Sequence, residues 1–265
     1  MAATPSPITI ALLQMDARES AREENRAHVA SAAEEAVGAG ARLLVLPELW
    51  PWGYDLASAS LREDTHLDAE WACELSKKHN MAVAGSTIEE QEGSRRNRAT
   101  LHDKGNLLGS YDKAHLFAPL GEKKHLEPGQ DPPGAIEFEG LKVGLSICYD
   151  LRFPELYRHL SSCGCEVILV VAQWPRERIE HWRALVTARA IEGQCWLVAV
   201  NRWSPPGDGS YGGSSMVVSP GGEVVVEATE GEGLHLAEID VEESRALRRE
   251  FPVLDDRRPG LFVDS

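Results

Sequence analysis

Unbroken apolar runs, each about as long as one strand, constrain the fold of this chain most. Leu43-Leu-Val-Leu46, Val167-Ile-Leu-Val-Val-Ala172 and Trp196-Leu-Val-Ala-Val200 contain no polar residue. Runs of that length without alternation suit strands covered on both faces. Between and around them lie stretches of helical character: an alanine-rich segment over about 19–37 stopped at Gly38, then 67–79, 154–161 and 179–192. Ile8-Thr-Ile-Ala-Leu-Leu-Gln14 and 81–87 read as further strands. Residues 99–102 and 107–111 form one expected hairpin, around Asp103-Lys-Gly105, and 216–219 with 223–227 form another around Pro220-Gly-Gly222. Two halves of this kind, each an apolar sheet with helices outside, bury their bare sheet faces against each other. The expected architecture is an α/β, four-layer α-β-β-α sandwich.

No linker divides the 265 residues, so one domain over 1–265 is expected, with a short leader of about 1–6. The Pro/Gly-rich stretches 127–134 and 204–213 read as loops and as rims of a site. Lys+Arg 27 against Asp+Glu 42 leaves a net charge of −15, which disfavours nucleic acid and anionic membrane as partners. The five cysteines are odd in number, and Cys163-Gly-Cys165 lacks the two-residue gap of a zinc knuckle or redox motif. A reduced, cytoplasmic setting is expected. Residues 1–7 show neither a signal peptide nor a membrane span.

Three strand ends carry reactive side chains. Leu141-Lys-Val-Gly-Leu-Ser-Ile-Cys148 is followed by a turn and, near Pro154, a helix. A nucleophile on such a turn stands above the sheet edge, and the backbone N–H groups after it point toward what it attacks. Taken alone, Cys148 reads better as a small buried hydrophobe than as a nucleophile. Leu43-Leu-Val-Leu-Pro-Glu-Leu-Trp50, however, delivers Glu48 just past another strand, and Lys113 follows Leu107-Leu-Gly-Ser-Tyr111. With a carboxylate, an ammonium and a thiol in this order and setting, the chain resembles the nitrilase, or carbon–nitrogen hydrolase, superfamily from about residue 8 to 262.

That resemblance implies the same four-layer sandwich and a Glu48-Lys113-Cys148 triad needing no metal or cofactor. A free thiol titrates near 8.5 and a carboxylic acid near 4.3, so transfer of the Cys148 proton to Glu48 starts about 6 kcal/mol uphill. Burial of the carboxylate and a lysine beside the sulfur are expected to narrow that gap. Cys148 would attack an amide carbon, with Lys113 and the Tyr149 backbone N–H stabilising the oxyanion. Glu48 would pass the proton to the leaving ammonia and then activate water against the thioester. Glu122, in Gly121-Glu-Lys-Lys-His-Leu-Glu-Pro-Gly129, matches a second glutamate of the family that orients the lysine and substrate, with Glu127 a competing candidate. His115 is expected to support the lysine loop, and His181 is either structural or functional.

Tyr149-Asp150 departs from the Cys-Trp-Glu of true nitrilases, so amides are expected in place of nitriles. Cys148-Tyr-Asp-Leu-Arg-Phe-Pro-Glu-Leu156 looks like the branch holding omega-amidases and deaminated-glutathione amidases. Residues 172–194 resemble bacterial and plant omega-amidases and depart from the animal pattern. The expected reaction is hydrolysis of the terminal amide of a small 2-oxo acid, 2-oxoglutaramate or 2-oxosuccinamate. Arg152 and Arg176 are candidates for its carboxylate, and Trp174 for an apolar wall. The alternatives are a deaminated-glutathione or carbamoyl-amine amidase, and, from another class, a non-catalytic interaction module. The resemblance also implies a homodimer or a higher homo-oligomer.

Overall fold

Alternation within the first strand assigns its two faces. In β1 (Ile8–Gln14), Ile10 and Leu12 join one buried cluster while Ala11 and Leu13 join another. The same split recurs in β2 (Leu43–Val45), where Leu43 and Val45 oppose Leu44. The computed structural model describes residues 6–57, 65–91, 93–207, 209–228, 230–258 and 261. The expected leader lies outside them except for residue 6, as does part of the C-terminal tail.

β3 (Ala82–Gln91), β4 (Ser94–Asp103), β5 (Asn106–Asp112) and β12 (Gly233–Ile239) complete the first six-stranded sheet, in the order β12-β1-β2-β3-β4-β5. The second contains β6 (Ile136–Phe138), β7 (Leu141–Ile147), β8 (Val167–Ala172), β9 (Trp196–Asn201), β10 (Met216–Val218) and β11 (Val224–Glu227), in the order β11-β10-β9-β8-β7-β6. Each sheet has three parallel strands, β1-β2-β3 and β7-β8-β9, with antiparallel strands on both sides. One apolar cluster takes inward residues of both sheets, for instance Leu12 and Val45 with Leu145 and Leu169.

The outer face of the first sheet packs on α1 (Arg22–Gly38) and α2 (His66–His79) through Val29, Ala33, Ala72 and Leu75. The second sheet is covered by α4 (Pro154–Ser162) and α5 (Ile179–Gly193) through Leu156, Leu160, Val186 and Ala190. The molecule is a four-layer α-β-β-α sandwich. Among the described residues no helix is long and apolar enough to cross a membrane.

The β4–β5 turn is Lys104-Gly105, both with positive φ (51° and 82°), which suits the twist of a two-residue hairpin. β3 and β4 run well beyond the expected 81–87 and 99–102. The extra length, from Ile88 paired with Asn97 to Gln91 with Ser94, is rich in charge and lacks an apolar run. β6, α3 (Glu122–His125) and α6 (Val241–Glu250) were not anticipated either.

Candidate active site

Parallel strands of both sheets end at a common edge, and the chemistry collects there. Glu48 lies three residues past β2 and Cys148 directly follows β7. Gln173 directly follows β8, and Lys113 directly follows β5. Two turns at this edge are strained: Leu49, just after Glu48, has φ 45°, and Cys148 has φ 46°. Left-handed backbone at non-glycine residues is costly and is kept where surrounding contacts impose it. The Leu49 N–H donates to Ser86 Oγ at 2.9 Å, while Cys148 opens a tight 3-10 turn, Cys148–Arg152, that leads to Pro154 at the head of α4.

The side chains of Glu48, Lys113 and Glu122 have no exposed surface. Lys113 Nζ donates to Glu48 Oε1 at 2.7 Å and to Glu122 Oε1 at 2.6 Å. Glu48 Oε1 also accepts from Asn97 Nδ2 at 2.8 Å, and Oε2 accepts from the Gln173 N–H at 3.0 Å. Glu122 Oε1 accepts in addition from the Tyr54 hydroxyl at 2.7 Å, and Oε2 accepts from the Phe117 N–H. Of the two competing glutamates, Glu122 therefore reaches the lysine, whereas Glu127 is exposed on the outer loop.

Burial raises the Glu48 pKa above the usual carboxylate value, and the negative charge of Glu122 adds to the rise; the Lys113 charge and hydrogen bonds from Lys113 and the Cys148 thiol oppose it. For Lys113, burial pulls the pKa down, but Glu48 and then Glu122 outweigh it and hold the ammonium charged. The Cys148 thiol is pushed well up, first by burial and next by Glu48, with Lys113 working the other way. The sequence-based expectation that a neighbouring lysine favours thiolate is thus met in sign and outweighed in size. Burial and Glu48 favour the thiol form of Cys148, and attack through its sulfur calls for a base.

Cys148, Tyr149, Arg152 and Trp174 line one narrow cleft with Phe117 and Arg178. The Arg152 guanidinium lies 4.7 Å over the Trp174 ring and its Nη2 is 3.5 Å from His181 Nδ1. Among the described residues it meets no carboxylate. Arg176 is held elsewhere: it lines a neighbouring cleft, pairs with Glu230 at 2.5 Å, and donates to the carbonyls of Ser204 and Tyr211. Trp174 is buried and its Nε1–H donates to the Arg178 carbonyl at 2.9 Å. His115 sits beside the lysine loop against Asp150, and His181 is exposed. Asn97, Gln173, Tyr54 and Arg178 belong to the site without having been singled out by sequence.

The carbon–nitrogen hydrolase profile matches residues 9–249. The chain belongs to the carbon–nitrogen hydrolase family. Within it, the chain is 39% identical over 226 residues to a 2-oxoglutaramate amidase of Bacillus subtilis (strain 168), covering 84% of this chain and 87% of that protein. Against the omega-amidase YafV of Escherichia coli (strain K12) it is 34% identical over 221 residues, 82% of this chain and 84% of the other. A solved variant of the amidase from Nesterenkonia sp. AN1 superposes with a TM-score of 0.87 at 28% identity, covering 98% of this chain and 97% of that one. In that hydrolase the acetamide moiety of fluoroacetamide is added covalently at the active-site cysteine.

Proposed function

We propose that this chain is a cysteine amidase that hydrolyses the terminal carboxamide of a small 2-oxo acid, 2-oxoglutaramate or 2-oxosuccinamate, through a thioester. Cys148 Sγ attacks the amide carbon as its proton passes to Glu48. The oxyanion is stabilised by the Lys113 ammonium and the Tyr149 N–H. Glu48 protonates the leaving nitrogen, ammonia departs, and Glu48 then takes a proton from the water that opens the thioester. The acid leaves and the thiol is restored.

The observation that carries this reading is the buried Glu48–Lys113–Glu122 cluster packed against Cys148. Glu48 Oε1 accepts from Asn97 and Lys113 and Oε2 from the Gln173 N–H, and the Cys148 thiol hydrogen-bonds to the same carboxylate, so the proton has a direct route from sulfur to oxygen. Burial raises the proton affinity of both Glu48 and Cys148, and the Lys113 charge works toward thiolate as the proton leaves the sulfur. Glu122 keeps the ammonium in place while Glu48 changes charge. For the substrate, support comes from Arg152, the cleft arginine that Trp174 braces and that no carboxylate among the described residues occupies; a guanidinium so placed fits the carboxylate of a short oxo-amide. Similarity to relatives named 2-oxoglutaramate amidase and omega-amidase supports the same class. A single domain and a cytoplasmic homodimer complete the proposal.

The test is ammonia release from 2-oxoglutaramate, 2-oxosuccinamate, deaminated glutathione, N-carbamoylputrescine and a simple nitrile, with Cys148→Ala as blank. The oxo-amides are expected to lead with kcat/KM of about 10⁴ M⁻¹s⁻¹ or more. Preference for another member relocates the substrate, and release by Cys148→Ala overturns the mechanism.

A further inference from the structure

We infer that Asp150 is a positioning residue that sets the separation of Lys113 from Cys148; the inference rests on the roles proposed for those two residues. Asp150 lies two residues after Cys148 in the same turn and has no exposed surface. Its Oδ2 accepts the N–H of Ile147, the residue before Cys148, at 3.2 Å, and the Tyr111 hydroxyl at 3.0 Å. Its Oδ1 accepts the His115 backbone N–H at 3.1 Å and lies 2.7 Å from His115 Nδ1.

These partners bracket the lysine. Tyr111 precedes it by two residues, His115 follows it by two, and the Tyr111 oxygen accepts the Ala114 N–H at 3.1 Å. One carboxylate therefore binds the backbone N–H before Cys148, the backbone N–H of His115 after Lys113 and the side-chain hydroxyl of Tyr111 before it. The joined strands, β5 and β7, belong to different sheets, and no ladder hydrogen bond fixes one end against the other. His115 is braced in turn by stacking on Phe153, with ring centroids 3.6 Å apart and planes 7° off parallel. Asp150 touches neither Lys113 Nζ nor the cleft, so its effect on the chemistry passes through the two turns it ties together.

Two effects of removing the carboxylate have opposite signs. Loss of a nearby negative charge by itself favours thiolate and lowers the pH at which Cys148 becomes reactive. Loss of the clamp lets the Lys113 ammonium drift from the sulfur, disfavours thiolate and raises that pH. The experiment measures the pH dependence of Cys148 alkylation by iodoacetamide, together with kcat and KM, for Asp150→Asn and Tyr111→Phe. Asp150→Asn is expected to move the alkylation profile to higher pH and to lower kcat by about 10²-fold, the scale of an ångström-sized misplacement, with KM changed much less. Tyr111→Phe, which keeps the buried ring and loses one of the tethering bonds, should shift both in the same direction by less.

An unchanged or downward-shifted profile in a folded Asp150→Asn overturns the inference. Should that variant not fold, wild-type kcat and profile in Tyr111→Phe overturn it equally. Cys148→Ala run alongside separates the two levels: full activity there removes the underlying mechanism, whereas an inactive Cys148→Ala beside a normal Asp150→Asn removes only the positioning role.

Discussion

Glu48 raises the Cys148 pKa by its charge and, in the proposed cycle, also removes the proton. Glu48→Gln separates these roles. The neutral amide no longer opposes a thiolate, so alkylation of Cys148 should extend to lower pH than in the wild type, while hydrolysis falls about 10²–10⁴-fold for want of a base. Parallel loss of alkylation and turnover would show Glu48 to be structural. Asn97 offers a milder perturbation: Asn97→Ala frees Glu48 Oε1 from one of its donors and should lower kcat about tenfold with KM nearly unchanged, the pattern of an interaction felt mainly in the transition state. Glu48, Lys113, Cys148 and Glu122 could be picked out from sequence because each stands at a strand end or in a family motif. Asn97 and Gln173 could not, because their importance lies in hydrogen bonds across strands to Glu48, and an Asn or Gln carries no local mark of such a bond.

At the level of elements, β4 serves two layers. Asn97 reaches the site, while His102, paired opposite Val83, lies on the face covered by α2. Burial alone pushes the His102 imidazole from 6.5 down to about 4, and neither ring nitrogen has a hydrogen-bond partner among the described residues. The unfolded chain takes up this proton near pH 6.5 and the folded chain only near 4, so stability is full above the unfolded value and lost as pH falls toward the folded one. Between pH 7 and 5 the loss amounts to about 2 kcal/mol at ~1.4 kcal/mol per pH unit. Urea unfolding at both pH values should show His102→Leu losing less than the wild type by that difference; equal losses would mean His102 titrates normally. The parallel strands were readable because burial on both faces demands continuous apolar runs. β6 is three residues long, and the helical pattern of α6 is mostly charge, Val241-Glu-Glu-Ser-Arg-Ala-Leu-Arg-Arg-Glu250, so neither stood out against loop.

For the whole molecule, what sequence could not express is how the last strand returns to the first. β12 pairs antiparallel with β1, Ile239 opposite Ile8 and Gly233 opposite Gln14, so the chain's final strand closes the sheet built by its first half. Such a register depends on the assembled sandwich and on no residue near β12. The same assembly leaves apolar side chains uncovered. Ile191 on α5 is 52% exposed and Phe251, just after α6, 64%. The chain at Phe251 is tied to the end of α5 by Gln194, which donates to the Phe251 carbonyl at 2.8 Å. In the proposed homodimer, a second copy presenting Ile191 and Phe251 around a two-fold axis would bury both on each chain. Light scattering at micromolar concentration should therefore give the mass of two chains. Ile191→Asp combined with Phe251→Asp should give the mass of one, with the far-UV circular dichroism of the wild type. A wild-type monomer removes the homodimer, and a double variant that stays paired moves the interface to another face; neither result touches the site at the strand ends, whose proposed chemistry is drawn from one chain.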